Sequence, residues 1–348
     1  MPRIRDNILG MAAYHPPLAG RAEKWRLDFN ENLAGPSPAV LNALRHADGA
    51  MLAVYPDDAT VTAQAAAHFG VSPAEIILTN GADEAIQCIV NLLIDKGDAA
   101  PLFEPTYAMY KIYLSIAGAR VETLLYKEDL SFPLARLETA LRQRPKLVFL
   151  CSPNNPTGTE IDYRRLRELI TANLDTLFAL DEAYADFSAQ TLVNAAPKLP
   201  NLLVLRTFSK LFGLAGLRVG AVIGAPASIQ LLRKIRSPYS ISRLSLHLLA
   251  AALQDKDYPR QYREIVTRNR ARLETWLRER GVKCWPSCGN FILIHAGDRV
   301  GEIVAALAAR GILARSRDAD PLLKGCFRVT VGTDAAMQAF CDTYQEYL

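Results

Sequence analysis

The chain has 348 residues, with 40 Lys and Arg against 36 Asp and Glu, and half of its residues are apolar. This composition excludes a disordered or fibrous protein. The net charge of only +4, without a long basic run, excludes a nucleic-acid-binding arm, so we expect no nucleic-acid partner. No stretch of about 18 apolar residues occurs, and we therefore expect no membrane span and no membrane partner.

The cysteines predict a reduced, cytoplasmic protein without a metal site. The six of them are Cys88, Cys151, Cys284, Cys288, Cys326 and Cys341. None belongs to a C-x-x-C pair, and no histidine lies at a spacing typical of zinc ligands. The first residues, MPRIRDNILGMAAYHPP, lack the continuous apolar run of a secretory signal peptide.

Alternating strands and helices predict an α/β fold with a mostly parallel central sheet flanked by helices. Strands that are apolar on both faces are typical of a parallel sheet covered by helices on both sides. The predicted strands, in chain order, are 75–79, 147–151, 177–180, 202–206 and 219–224. Segments with helical periodicity between them are 83–94, 163–174 and 227–236.

Changes in pattern along the chain divide it into three parts. Residues 1–28, which are rich in Pro, Gly and Arg, predict an irregular N-terminal arm. Residues 29–240 carry the predicted sheet and form a large domain. Residues 241–348 begin with a helical stretch to about 280 and then hold fewer strands, which predicts a smaller C-terminal α/β domain packed with the N-terminal segment.

Polar residues follow the predicted strands, where the carboxyl ends of parallel strands place ligands. After 75–79 the sequence turns at Asn80-Gly81 and a helix starts at Ala82 or Asp83. The free N–H groups at such a start suit a phosphate, although an ordinary capped helix fits the same pattern.

Two further turns carry polar side chains. Asn154 and Asn155 project from the Pro-rich turn after 147–151, and amides of this kind donate to a phenolic oxygen or accept from other groups. Asp181 and Glu182 directly follow an apolar strand, where an unpaired charge is costly. A capping role or a structural salt bridge is the alternative interpretation of these two carboxylates.

Lys210 stands in an apolar setting after the strand 202–206. Its neighbours include Phe208 and Phe212, and Arg218 follows eight residues later. Burial lowers the pKa of a lysine, and the neutral amine is a nucleophile. A surface lysine with a buried stem is the alternative for any single residue of this type.

In combination, these motifs resemble those of the fold-type I pyridoxal-phosphate (PLP) aminotransferases. The motifs are FNEN (29–32), GADEAI (81–86), PTYAMY (105–110), CSPNNPTG (151–158), DEAY (181–184), LAGLRVG (214–220) and FRVTVGT (327–333). They span nearly the whole chain, and within that superfamily they look most like histidinol-phosphate aminotransferases. The resemblance implies a PLP cofactor and a homodimer with shared active sites.

The resemblance also implies roles for individual residues toward the cofactor. Lys210 would hold PLP covalently and move the proton of the substrate Cα, and Asp181 would pair with the protonated pyridine nitrogen. The other implied cofactor contacts are Tyr184 and Asn155 at the ring oxygen, Tyr107 on the ring face, Gly81, Ala82, Asp83, Thr207, Ser209 and Arg218 at the phosphate, and Tyr55 from the partner subunit.

For the substrate, the resemblance implies that Arg328 clamps a carboxylate with both arms of its guanidinium. Asn30 and the stretch around Tyr239 would close over the substrate. Tyr14, Tyr239 and Arg243 would form the pocket for the substrate's tail, with Arg315 and Asn290 in supporting positions.

The sequence departs from the family pattern where the tail of the substrate is read. The usual NENPYG is here NENLAGPS, a PYNVN-like segment is PYSIS (238–242), and Tyr-x-Pro-Gly is only YHPPLAG. The predicted reaction is transamination between L-histidinol phosphate and 2-oxoglutarate, in histidine biosynthesis. Two alternatives remain. The first is an aromatic amino-acid aminotransferase, which an apolar tail pocket would favour. The second is a threonine-phosphate decarboxylase, in which the bond from Cα to the carboxylate, and not the Cα–H bond, is held perpendicular to the cofactor ring.

Overall fold

The structure, a computed structural model, describes residues 2–13 and 20–348. The strands are β1 Trp25–Arg26, β2 Ile76–Thr79, β3 Ala99–Glu104, β4 Arg120–Leu125, β5 Leu147–Cys151, β6 Leu177–Asp181, β7 Leu202–Thr207, β8 Gly220–Gly224, β9 Phe291–His295, β10 Ile312–Leu313, β11 Arg315–Ser316 and β12 Cys326–Thr330. The helices are α1 Asp6–Leu9, α2 Pro38–Arg45, α3 Ala50–Ala53, α4 Ala59–Phe69, α5 Gly81–Leu93, α6 Ala108–Ala117, α7 Leu134–Leu141, α8 Tyr163–Ala172, α9 Pro226–Arg233, α10 Arg243–Gln254, α11 Asp257–Glu279, α12 Val300–Ala309 and α13 Asp334–Tyr344.

The central sheet has the strand order β2-β8-β7-β6-β5, and β5, β6 and β7 run parallel. Successive residues of these strands point to opposite faces, as the pleat requires. Val148 and Leu150 therefore enter one hydrophobic core, and Leu147 and Phe149 enter the other. The parallel pair β3-β4 lies beside β5. The predicted α/β fold with a mostly parallel, doubly covered sheet is confirmed.

One predicted strand runs in the other direction. The pattern predicts 219–224 as a further parallel strand, but β8 is antiparallel to both β7 and β2. A parallel return needs a crossover, usually a helix, across one face of the sheet. The chain between Thr207 and Gly220 contains only the short 3-10 turn Ala215–Leu217, and it therefore folds straight back.

The C-terminal part contains the antiparallel sheet β11-β12-β9 together with α12 and α13. The predicted long helical stretch is two helices, α10 and α11, which are separated by an extended residue, Asp255. Strand β1 pairs in parallel with β10, so the N-terminal segment joins these C-terminal elements. In the described ranges, no helix combines the length and the apolar character needed to cross a bilayer.

Candidate functional site

Lys210 lies just beyond β7 with its amine enclosed by the N-terminal segment. Its Nζ donates to the carbonyl oxygen of Phe29 at 2.9 Å and lies 5.7 Å from the centre of the Tyr184 ring. Burial, reinforced by the nearby charge of Arg328, lowers the pKa of Lys210 to about 8. About a tenth of the amine is therefore neutral and nucleophilic at pH 7, far more than for an exposed lysine.

The two carboxylates at the end of β6 point to opposite faces of the sheet. Asp181 lies two residues after Ala179 and therefore on the same face of the sheet. Its Oδ2 accepts from the Tyr110 hydroxyl at 2.6 Å, and its Oδ1 accepts from the Ala183 amide at 2.9 Å. Glu182 points the other way and pairs with Arg206 at 3.3 Å. The pleat thus separates a carboxylate available to a ligand from a structural one.

Asp181 is buried without a counterion. Desolvation raises its pKa, and the hydrogen bonds from Tyr110 and the Ala183 amide act in the opposite direction. Within the described ranges, no basic side chain lies at ion-pair distance from Asp181. A buried, hydrogen-bonded carboxylate of this kind suits a protonated ring nitrogen.

The start of α5 and Arg218 form a second half of the site. Helix α5 begins at Gly81, one or two residues earlier than the predicted start at Ala82 or Asp83, and Gly81 has a φ of +72°. The positive φ favours glycine, and a Cβ atom at Gly81 would also lie 2.5 Å from Nη2 of Arg218, which would then have to move. Arg218 donates to Asp83 at 3.1 Å, and the Tyr107 hydroxyl donates to the same carboxylate at 2.8 Å.

The first residue of β8, Gly220, places the end of β7 next to the start of α5. Gly220 pairs with Thr207, and a Cβ atom at Gly220 would lie 2.8 Å from the carbonyl carbon of Gly81 and 2.9 Å from the Ala82 nitrogen. The Ser209 amide donates to the Thr207 hydroxyl at 3.1 Å, and both residues are buried. Free helix N–H groups, hydroxyls and a guanidinium together suit a phosphate dianion.

Tyr184 is the centre of a hydrogen-bond network. Its hydroxyl oxygen accepts from Nδ2 of Asn30 at 3.0 Å and from Nδ2 of Asn155 at 3.3 Å. Asn290 donates to the Asn30 carbonyl at 3.1 Å, which holds the N-terminal segment in place. Burial raises the pKa of Tyr184 to about 12, so the phenol keeps its proton and has it available for an acceptor.

The neighbouring Asn154 binds Pro105 and its own turn, and not Tyr184. Its Nδ2 donates to the Pro105 carbonyl at 2.9 Å and to the Thr157 hydroxyl at 2.9 Å, inside the turn. Asn154 therefore shapes the turn, while Asn155 faces the site.

The guanidinium of Arg328 is a buried cation held by neutral oxygen atoms. It donates to Oδ1 of Asn155 and, at 2.5 Å, to the carbonyl oxygen of Asp28, while its Nε has no partner. Among residues 2–13 and 20–348, no carboxylate lies within ion-pair distance of it. Burial lowers its pKa to about 10. A buried guanidinium of this kind suits an anionic ligand.

Tyr55, Tyr239 and Arg243, which the resemblance assigns to the site, lie on the exposed surface of the described chain. Tyr55 and Tyr239 stack at 4.5 Å between ring centres, and they are 77% and 55% exposed. Arg243 is the exposed first residue of α10 and makes no hydrogen bond or ion pair with the described residues. Tyr14 lies outside the described residues.

Sequence reasoning missed two kinds of contact. The carbonyl oxygens of Asp28 and Phe29 bind Arg328 and Lys210, and a backbone acceptor has no signature in the sequence. The Tyr110 hydroxyl donates to Asp181, although in the sequence Tyr110 is only a member of the PTYAMY motif with no assigned role. Its spacing of three residues from Tyr107 at the start of α6 was the available signal.

Comparison of the sequence with known proteins shows the family to which this chain belongs. The family described as "Aminotransferase class I and II" matches residues 22–343. Histidinol-phosphate aminotransferase of Dehalococcoides mccartyi is 34% identical over 97% of this chain and 96% of the relative. The enzyme of the same name from Syntrophotalea carbinolica is 35% identical, over 97% of each chain.

Solved structures agree with these relatives. Histidinol-phosphate aminotransferase from Sinorhizobium meliloti, in complex with pyridoxal-5'-phosphate, superposes with a TM-score of 0.91 and 29% identity, over 100% of this chain and 98% of the other. L-threonine-O-3-phosphate decarboxylase from Porphyromonas gingivalis has a TM-score of 0.79 at 20% identity, over 93% of this chain and 99% of the other, and shares the fold.

Proposed function

Since this chain belongs to the aminotransferase class I and II family, we propose that it transfers the amino group of L-histidinol phosphate to 2-oxoglutarate. The products are imidazole acetol phosphate and L-glutamate. The observation that carries the proposal is the buried guanidinium of Arg328, which lies near the enclosed amine of Lys210 and has no carboxylate partner in the described part of the chain. The names of relatives aligned over nearly the full chain support the substrate.

The residues of the site fit PLP, the cofactor of such enzymes. Lys210 offers a nucleophilic amine for the aldehyde, and Asp181 offers a buried carboxylate for the pyridine nitrogen. The α5 start, with Gly81 pressed against Arg218, leaves free N–H groups for the phosphate. Tyr184 has a proton to donate to the ring oxygen.

When bound, PLP supplies an electron sink for the negative charge that develops on the substrate Cα. The chain supplies the rest of the chemistry. Lys210 takes the proton from Cα, because its lowered pKa makes the amine a base near neutral pH. Asp181 keeps the ring nitrogen protonated, and Tyr184 with Asn155 orients the ring.

The two substrates share one anion site in this proposal. Histidinol phosphate carries a phosphate on Cα through a CH2–O link, at the substituent position where glutamate carries its α-carboxylate directly on Cα. Arg328 faces both groups in turn, with Arg315 opposite it in the sheet. A dianion attracts more than one cation. We therefore propose that Tyr14, Tyr239 and Arg243 add contacts to the substrate tail.

A homodimer with shared sites is part of the proposal. Leu52, Val54, Tyr55 and Tyr239 are 77%, 52%, 77% and 55% exposed, and this apolar surface is typical of a protein interface. A second copy covering it would bring Tyr55 to the phosphate of the opposite site, where Arg218 is 46% exposed. All six cysteines are free, which supports a cytoplasmic location.

The proposal is tested by a single-turnover screen. The PLP-loaded enzyme is mixed with histidinol phosphate, phenylalanine, tyrosine or threonine phosphate, and conversion of the bound cofactor to its amine form is followed by absorbance. Histidinol phosphate should convert it fastest. Faster conversion by the aromatic amino acids, or release of carbon dioxide from threonine phosphate, would replace the proposed substrate.

A further inference from the structure

Tyr110 lies directly behind the carboxylate of Asp181. It is fully buried in α6, and its hydroxyl donates to Oδ2 of Asp181 at 2.6 Å. In the described part of the chain, no other side chain donates to Asp181, whose Oδ1 receives the Ala183 amide. The two oxygens of this carboxylate are thus held by one phenol and one backbone N–H.

Packing fixes the Tyr110 ring. It stacks on Phe149, with 5.0 Å between ring centres and an angle of 9°, and it meets the edge of Tyr107 at 5.7 Å and 82°. Phe149 lies on β5, the strand beside Asp181. A ring clamped on two sides holds its hydroxyl in one place, so the hydrogen bond also fixes the orientation of the carboxylate.

We propose that Tyr110 is a positioning residue for the reaction, whose hydroxyl holds Asp181 ionised and correctly oriented toward the ring nitrogen of the cofactor. The inference rests on the proposed function, specifically on the role of Asp181. A carboxylate has about four lone-pair sites, so the two donors leave sites free for the nitrogen.

The electrostatics explain why this donor matters. Burial favours the protonated form of Asp181, and a hydrogen bond to the ionised form opposes that shift. The other titratable groups that face Asp181 are Asp83 on α5, Cys151 on β5, Tyr107 at the start of α6, Tyr184 after β6 and Lys210 after β7. The charge of Asp83 disfavours the ionised form of Asp181. The charge of Lys210 favours that form, but less than the Tyr110 hydrogen bond does.

The test replaces Tyr110 by phenylalanine and measures three quantities. Tyr110→Phe should weaken the affinity of the cofactor-free protein for PLP, followed by absorbance, by about tenfold. It should lower kcat by about tenfold with less than about a twofold change in the KM for glutamate. The acidic limb of the pH profile of kcat/KM should move up by about one unit, because Asp181 is then harder to ionise.

Tyr163→Phe is the matched control. Tyr163 is also buried, and its hydroxyl donates to the Ser152 carbonyl at 3.1 Å, away from Asp181. Its loss should move neither the PLP affinity nor the pH profile. If Tyr110→Phe behaves like Tyr163→Phe while Asp181→Asn is inactive, the inference is wrong and the proposed function stands. If Asp181→Asn keeps full activity, the proposed role of Asp181 fails, and the inference with it.

A double substitution separates positioning from packing. If Tyr110 acts through Asp181, Tyr110→Phe should add less than about twofold to the loss of PLP affinity caused by Asp181→Asn. A further tenfold loss in that background would contradict the inference. If Tyr110→Phe does not fold, Tyr110→His is the second variant, because its ring keeps a hydrogen-bond donor. Tyr110→His should retain PLP affinity within about fivefold. A loss of about a hundredfold in the folded Tyr110→His variant would overturn the inference.

Discussion

Arg315 and Arg328 are directly opposite one another in the antiparallel pair β11-β12, so their side chains share one face of the sheet. Like charges placed opposite each other destabilise a sheet. Arg328 is also buried, and the charge of Arg315 helps to lower its pKa to about 10 after the larger effect of burial. An anion bound at this face removes both costs, which is the basis of the proposed substrate site.

Replacing Arg328 by alanine removes the buried guanidinium. We expect kcat/KM for the glutamate half-reaction to fall by about a hundredfold or more, since a charged hydrogen bond contributes about 1.5–3 kcal/mol and the group donates at least two. The loss for histidinol phosphate should be smaller, because the substrate tail has further contacts. Stopped-flow absorbance of the two half-reactions measures both. Equal, small losses would show that the anion binds elsewhere.

Arg243→Ala provides the opposite comparison. Arg243 is exposed at the start of α10 and, in our proposal, adds to the phosphate contacts. Its loss should weaken kcat/KM for histidinol phosphate by roughly tenfold to a hundredfold and leave the glutamate half-reaction nearly unchanged. A variant that is neutral toward histidinol phosphate would remove Arg243 from the site.

The lowered pKa of Lys210, about 8, predicts the pH dependence of its reactivity in the cofactor-free protein. Below this pH the amine is protonated and unreactive, and above it the amine is neutral. Acylation of Lys210, followed by peptide mass spectrometry, should therefore rise with a midpoint near pH 8. Lys146 is the internal control, because its hydrogen bonds to Asp98 and Asp95 raise its pKa. A common midpoint for both lysines would contradict an enclosed Lys210.

Arg206 should be essential to stability. It is buried between Glu182, at 3.3 Å, and Asp186. Arg206→Met leaves the buried Glu182 and the partly buried Asp186 without their cation, and we expect a loss of about 3–5 kcal/mol in the free energy of unfolding. Arg268→Met removes the exposed pair with Asp334, at 3.0 Å, and should cost less than about 1 kcal/mol. Denaturant unfolding measures both, and equal effects would show that the buried network is not stabilising.

Subunit mixing tests the shared site. Lys210→Ala chains and Tyr55→Ala chains should each have little activity. In a mixed dimer, one site combines an intact Lys210 with Tyr55 of the partner subunit, so co-refolding equal amounts should restore about a quarter of the original activity. If Tyr55 serves its own chain, mixing restores nothing.

Much of the site could be predicted from the sequence, because parallel strands deliver the residues after them to one edge of the sheet. The positions of Lys210 and Asp181 beyond β7 and at the end of β6 follow from that rule. The choice between Asp181 and Glu182 needed the register of β6, which the pleat then decides.

Other features depend on long-range contacts that leave no local pattern. Residues 219–224 are as apolar as the parallel strands, and only the missing crossover helix makes β8 antiparallel. The carbonyl of Phe29 reaches Lys210 from 181 positions away along the chain. The exposed Tyr55 and Tyr239 depend on a second copy for their proposed roles.

The most direct measurement follows the nitrogen atom itself. The PLP-loaded enzyme is given histidinol phosphate labelled with ¹⁵N at its amino group, together with unlabelled 2-oxoglutarate, and the glutamate formed is analysed by mass spectrometry. We expect ¹⁵N-glutamate in an amount equal to the imidazole acetol phosphate produced, and none with Lys210→Ala. Glutamate without the label, or labelled glutamate formed more efficiently from ¹⁵N-phenylalanine or ¹⁵N-tyrosine, would contradict this expectation.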